Sequence, residues 1–125
     1  ADLVHGSMGN DTLYAGDGAD ILRGGQDNDI LYGDAGDDWL SGDRGDDTVW
    51  GGGGADSFHI WGASDLDRVM DFNRAEGDRV LVSEGATYSF AQAGADVLIT
   101  VSGGAQMVLV GVSTTSLSDG WIVSI

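Results

Sequence analysis

The sequence predicts an all-β protein: a right-handed parallel solenoid, wound as a roll from very short strands and tight turns, with a cap of C-terminal strands. Three observations predict it. From Gly6 to His59 the chain repeats every nine residues, six times without a break. Every repeat carries an Asp and an apolar residue at the same two places. Glycine, 22 of the 125 residues, crowds the stretches between them.

The repeats read GSMGNDTLY, AGDGADILR, GGQDNDILY, GDAGDDWLS, GDRGDDTVW and GGGGADSFH. Position 6 is always Asp: Asp11, Asp20, Asp29, Asp38, Asp47 and Asp56. Position 8 is always apolar: Leu13, Leu22, Leu31, Leu40, Val49 and Phe58. Position 4 is Gly in five of the six. Ala1–His5 fit the frame as the tail of an earlier repeat, with Asp2 at position 6 and Val4 at position 8, so a piece of a longer protein is the expectation. A disordered acidic linker has no need of a strict period with an inward apolar position.

Positions 7 to 9 make a very short strand, with position 8 inward and positions 7 and 9 outward. Positions 1 to 6 must turn sharply, and glycine supplies the positive φ that brings carbonyls together there. Two repeats close one coil. Repeats of like parity then stack ~4.8 Å apart as parallel ladders on two faces, with a thin core between them. The predicted roll spans residues 1–59, and residues 60–125 form the cap.

The charge is lopsided, with 21 acidic residues, five basic and a net −16. All five basic residues are Arg. Such a field repels nucleic acid and anionic membrane and attracts cations. There is no Cys and no Pro, so disulfides are excluded. No stretch approaches the ~20 apolar residues of a membrane span.

Stacking brings the Asp of one repeat beside the Asp two repeats on. Buried carboxylates at that spacing repel unless a cation lies between them. Ligands of this kind, carboxylates and carbonyls, suit calcium, which takes 6–8 oxygens in flexible geometry. Magnesium needs a tighter octahedron, and zinc or copper would want His or Cys, which the turns lack. The predicted pairs are Asp2/Asp20, Asp11/Asp29, Asp20/Asp38, Asp29/Asp47 and Asp38/Asp56, or about five calcium ions. An EF-hand needs a Glu at the end of its loop, and residues 1–59 contain no Glu.

The repeat resembles G-G-x-G-x-D-x-U-x, the motif of RTX (repeats-in-toxin) proteins, which bind calcium in a β-roll. That resemblance implies further ligands from backbone carbonyls of Gly6, Gly9, Gly18, Gly24, Gly33, Gly36, Gly42, Gly45, Gly51 and Gly54. The sequence departs from the motif at Ala15 in position 1, at Ser7, Asp34 and Asp43 in position 2, and at Asp27 in position 4. The loop of Asp27 is the one expected to deviate.

Beyond Phe58, Asp65-Leu66-Asp67-Arg68-Val69-Met70-Asp71-Phe72 and Gly77-Asp78-Arg79-Val80-Leu81-Val82 resemble the stretch that follows the last repeats in serralysin-type C-terminal domains. The resemblance implies that Asp65, Asp67 or Asp71 caps the final calcium site; Asp65 and Asp71 are the two we carry forward as metal ligands. Strands are expected at Thr87–Ala91, Val97–Val101 and Gln106–Val110, with turns at Gly94 and Gly103-Gly104. The run Met107–Val110 reads as fully buried, and these strands are expected to cover the open end of the roll. Residues 115–125, acidic and then apolar, resemble the C-terminal signal of type I secretion substrates.

Tyr14, Tyr32 and Trp50 share position 9 of odd repeats, and Trp39 stands at position 7 of an even one. The three position-9 rings form a ladder on one sheet, either as a docking face or as cross-strand support. Arg44-Gly45-Asp46 and Asn10-Asp11-Thr12 match an adhesion tripeptide and a glycosylation sequon by letters only, inside metal loops. His5 and His59 read as isolated surface residues. No H-E-x-x-H, G-x-S-x-G or P-loop motif is present.

The function expected is a non-catalytic calcium-binding module. It would fold on meeting calcium outside the cell and support type I secretion and folding of a larger bacterial protein. Its partners would be calcium, an upstream domain and the secretion apparatus. The alternative is an extracellular module for polysaccharide binding or surface-layer assembly through the aromatic face.

Overall fold

The computed structural model describes residues 3–60, 65–117 and 119–124, and nearly all its regular structure is strand. Seven strands follow the repeat frame: β1 (Leu3–His5), β2 (Thr12–Tyr14), β3 (Ile21–Arg23), β4 (Ile30–Tyr32), β5 (Trp39–Ser41), β6 (Thr48–Trp50) and β7 (Ser57–Ile60). Each begins at position 7, because the preceding Asp and glycines hold the chain in a turn. Six more follow: β8 (Leu66–Val69), β9 (Arg79–Val82), β10 (Tyr88–Ala93), β11 (Asp96–Val101), β12 (Gln106–Leu109) and β13 (Ile122–Ser124).

Alternate strands enter opposite sheets. One sheet runs β1-β3-β5-β7-β9-β13, parallel throughout. The other runs β2-β4-β6-β8-β12, also parallel, and continues antiparallel into β11 and β10. This is the parallel β-roll the sequence predicts. Within the repeats, each residue pairs with the one 18 positions on, as Leu22 does with Leu40 and Leu31 with Val49.

Position 8 fills the core. Leu22, Leu31, Leu40, Val49 and Phe58 are buried, joined by Val69, Val80 and Val82 from the later coils. Val4 and Leu13 are only partly buried, because no coil lies beyond them among the described residues. At the other end the core is more ordinary. Val97, Ile99, Met107, Leu109 and Trp121 are buried there, and Phe72 packs against Phe58 at 6.0 Å between ring centroids.

Three details differ from the sequence reading. Met107 and Leu109 are buried, but Val108 is half exposed, because this part of the sheet has one covered face and alternates. The C-terminal strands extend the roll instead of lying across its end: β12 and β13 are further rungs, and β11 and β10 widen one sheet edgewise. His59 is buried, not a surface residue. Its ring stacks on Trp39 at 5.3 Å, and its Nε2 lies 3.3 Å from Ser83 Oγ. His5 is exposed, as expected.

Candidate metal centre

The turns share one backbone course. Positions 2 and 4 take left-handed φ in every repeat, whatever the residue: Ser7 at 80°, Asp34 and Asp43 at 66°, Asp27 at 73°, and glycine elsewhere. Asp27 therefore holds the same course as the glycines, and its Oδ2 accepts the Gly9 N–H at 2.9 Å. Asp and Ser enter this region at a cost that a short polar side chain makes tolerable. Glycine is demanded more strictly at position 4 of the later coils. A Cβ on Gly36, Gly45 or Gly54 would strike the backbone carbonyl of Gly18, Asp27 or Gly36 in the coil beneath.

The position-6 carboxylates form a directional ladder. Each Oδ1 accepts the backbone N–H of the Asp one coil earlier: Asp29 from Asp11 at 2.7 Å, Asp38 from Asp20 at 2.9 Å, Asp47 from Asp29 at 2.7 Å and Asp56 from Asp38 at 2.9 Å. Position 5 works in the opposite direction, with Asn10 Oδ1 accepting Asn28 N–H and Asn28 Oδ1 accepting Asp46 N–H, both at 2.9 Å. One oxygen of Asp29, Asp38, Asp47 and Asp56 is thus committed to holding coils together.

The other oxygen is not. Oδ2 of Asp11, Asp29, Asp38, Asp47 and Asp56 is buried and accepts no hydrogen bond. It points into the space that the position-1 glycine leaves open. A methyl on Gly24 would lie 2.6 Å from Asp29 Oδ2 and 2.7 Å from the Gly42 carbonyl oxygen. Gly33 shows the same pattern with Asp38 Oδ2 at 2.6 Å and the Gly51 carbonyl at 2.7 Å. Gly6 repeats it with Asp11 Oδ2 at 2.8 Å and the Gly24 carbonyl at 2.5 Å. A bare carboxylate oxygen and a carbonyl oxygen from the next coil therefore converge, rung after rung.

An orphaned, buried carboxylate oxygen costs several kcal/mol unless it is protonated or bound to a cation. The carboxyl pKa values reflect that cost. Burial, with neighbouring carboxylates adding, raises Asp38 from the usual 3.8 to about 6, Asp47 to about 7 and Asp56 to about 8. Asp29 and Asp78 move upward for the same first cause. Asp67 rises to about 8 through burial and then the charge of Asp47, with which it shares a side-chain hydrogen bond. Oxygens alone, two carboxylates per rung plus carbonyls, are a hard-cation donor set and fit calcium. No three Asp, Glu or His side chains converge on one point among the described residues, so much of any coordination must come from the backbone.

The ladder outlasts the repeat. Asp67 Oδ1 accepts Asp47 N–H at 3.1 Å, and Asp78 Oδ1 accepts Asp56 N–H at 2.8 Å. These two aspartates occupy the next rungs, 20 and 22 residues on. Of the expected cap residues Asp67 takes a rung of the ladder, whereas Asp65 and Asp71 do not. Both oxygens of Asp71 are taken, at 2.8 Å each, by the N–H groups of Gly51 and Gly52. Asp65 is half exposed, and its carbonyl accepts Gln106 N–H. Asp2 lies outside the described residues. Asp78 could have been found: Asp67-Arg68-Val69 and Asp78-Arg79-Val80 repeat the spacing of position 6 to position 8. Lengthened turns hid it.

Among the predicted backbone ligands, the carbonyl oxygens of Gly24, Gly42 and Gly51 border the same position-1 glycines (Gly6, Gly24 and Gly33) as a buried Oδ2. The position-9 column is formed as predicted, with Tyr14 and Tyr32 4.9 Å apart and 5° from parallel, and Tyr32 and Trp50 6.2 Å and 12°. The rings stack face to face down the sheet.

Three comparisons bear on this geometry. Residues 1–31, 23–58 and 32–67 match the family described as the RTX calcium-binding nonapeptide repeat (4 copies). The solution structure of the AlgE6R3 subunit of the Azotobacter vinelandii mannuronan C5-epimerase is similar, with a TM-score of 0.69 and 27% identity over 98% of this chain and 78% of that one. The crystal structure of the extracellular lipase LipA from Serratia marcescens gives a TM-score of 0.54 at 27% identity, over 90% of this chain. This chain spans only 20% of the lipase. No curated protein matches. With the motif in register, the carboxylate ladder in place and more than half the chain matched, this protein belongs to the RTX calcium-binding nonapeptide-repeat family.

Proposed function

We propose that the chain is a calcium-driven folding module of a larger exported protein, and that Asp11, Asp20, Asp29, Asp38, Asp47 and Asp56 hold the ions, with Asp67 completing the rung above Asp47. The observation that carries this reading is the row of buried Oδ2 atoms facing carbonyls of the next coil. About five ions would supply roughly ten positive charges against the net −16. Calcium supplies that charge and the extra ligand bonds. The chain supplies oxygens that the fold alone brings together, so binding free energy becomes folding free energy.

At low calcium the acidic repeats repel one another and stay open, a form suited to passage through a type I channel. At the millimolar calcium outside a cell, the coils close. The similarity to an extracellular lipase and to an epimerase subunit supports an exported parent. On this reading the chain provides metal-dependent structure, and the parent's chemistry lies in residues beyond it.

Calcium titration of the metal-stripped protein, followed by far-ultraviolet circular dichroism, tests the proposal. Strand signal should grow cooperatively and reverse with chelator. Equal strand content with and without millimolar calcium would sink it.

A further inference from the structure

The acidic charge is confined to one part of the molecule. Of the 21 acidic residues only Asp96 and Asp119 lie beyond Glu84, and no Arg lies beyond Arg79. The last part of the chain is therefore nearly neutral. It forms the C-terminal end of the roll, where the wider sheet ends at β10 and the other at β13.

Strand β10 is an unusual edge. It is six residues long, twice the length of most strands in the roll, and carries no charge. All six residues are exposed. Pairing places Phe90 opposite Ile99, so Tyr88 and Phe90 share the core-facing side of the sheet. That side overhangs: Phe90 meets Trp121 edge-on at 4.9 Å yet stays 45% exposed, and Tyr88 stays 40% exposed. Among the described residues only β11 pairs with it, so its outer row of N–H and C=O groups faces solvent. Soluble proteins normally blunt such an edge with charge, proline or a bulge, and this one carries no charge and no proline.

We propose that β10 is a docking edge for a second copy of this chain, pairing antiparallel with its own equivalent across a twofold axis. Charge selects this occupant and this end. Two rolls of this acidity repel along their repeats, whereas their neutral ends meet without that penalty. An uncharged strand paired antiparallel with itself is self-complementary, as a twofold interface requires. The overhanging Tyr88 and Phe90 of each copy would then cover one another, and the two seven-stranded sheets would join edge to edge.

Sedimentation velocity of the calcium-saturated protein, run up to a concentration of about 1 mM, tests this. The expected result is a concentration-dependent doubling of mass that is lost in Phe90→Glu. Because Phe90 also touches Trp121, Ala91→Glu provides a second variant; its side chain is exposed and lies on the opposite side of the strand. A dimer in the parent and a monomer in Ala91→Glu, with unchanged circular dichroism, supports the proposal. A monomer at every concentration overturns it. So does a dimer that both variants leave intact, which would place the contact elsewhere, or a ladder of masses beyond two, which would mean head-to-tail stacking. Calcium-dependent folding is read separately from the dichroism, so its failure is not confused with failure of the dimer.

Discussion

At the residue scale, the two oxygens of Asp29, Asp38, Asp47 and Asp56 have different work. Oδ1 is fixed by a backbone N–H one coil away, and Oδ2 is buried and accepts no hydrogen bond. Asp38→Asn keeps an acceptor for Asp20 N–H but removes the charge. It should bind at least one ion fewer by isothermal titration and raise the calcium needed for half-folding roughly tenfold, about 1.4 kcal/mol. The sign of the pH effect follows from the raised pKa values of Asp38, Asp47, Asp56 and Asp67. Proton-linked stability of the metal-free fold is fully present below the unfolded value near 3.8 and is lost as pH climbs through about 6 to 8. Metal-stripped protein should thus keep more strand at about pH 5 than at about pH 8.5, while calcium affinity rises over the same interval. Dichroism at the two pH values checks the first, and calorimetry the second. Position 6 was legible in the sequence because it never varies. The separate tasks of its two oxygens were not, because they depend on which coil lies above.

At the scale of the strand and turn, close approach of successive coils sets what each place tolerates. Gly36 has φ 115°, and a methyl there would press on the Gly18 carbonyl, so Gly36→Ala should cost ~1–3 kcal/mol. Gly53 has nothing within 4 Å of such a methyl, and Gly53→Ala should stay within about 0.5 kcal/mol. Leu40→Ala, removing a fully buried position-8 side chain, should cost ~2–5 kcal/mol. Urea unfolding in saturating calcium ranks all three. The seven repeat strands were readable from a period of nine, and β10, β11 and β12 from their apolar runs. The partners of β8 and β9 were not readable, because the spacing between paired rungs grows from 18 residues to 20 and 22, and β12 returns 40 residues after β8. A fixed period cannot reveal a rung whose loop has lengthened.

At the scale of the whole molecule, charge and core are separated along the axis. The repeats carry the aspartates and a core one residue thick, whereas the C-terminal end is nearly neutral and packs Ile99, Met107, Leu109 and Trp121. The two ends should therefore answer differently to metal removal. Hydrogen exchange in chelator should show amides of β11 and β12 protected longest and those of β2 to β6 exchanging first. Equal protection along the chain would mean that the C-terminal end has no stability of its own. The imbalance in charge was plain in the sequence. The use of β12 and β13 as further rungs needed the three-dimensional pairing.

The column of Tyr14, Tyr32 and Trp50 brings three chromophores into near contact from residues far apart in the chain. Light absorbed by either tyrosine should pass to the indole and leave as tryptophan emission only while the three coils remain stacked. Uncoiling separates the rings and restores tyrosine emission. Comparison with Trp50→Phe removes the contribution of the other tryptophans. The molecule thus reports its own winding optically, coil by coil, with no added label.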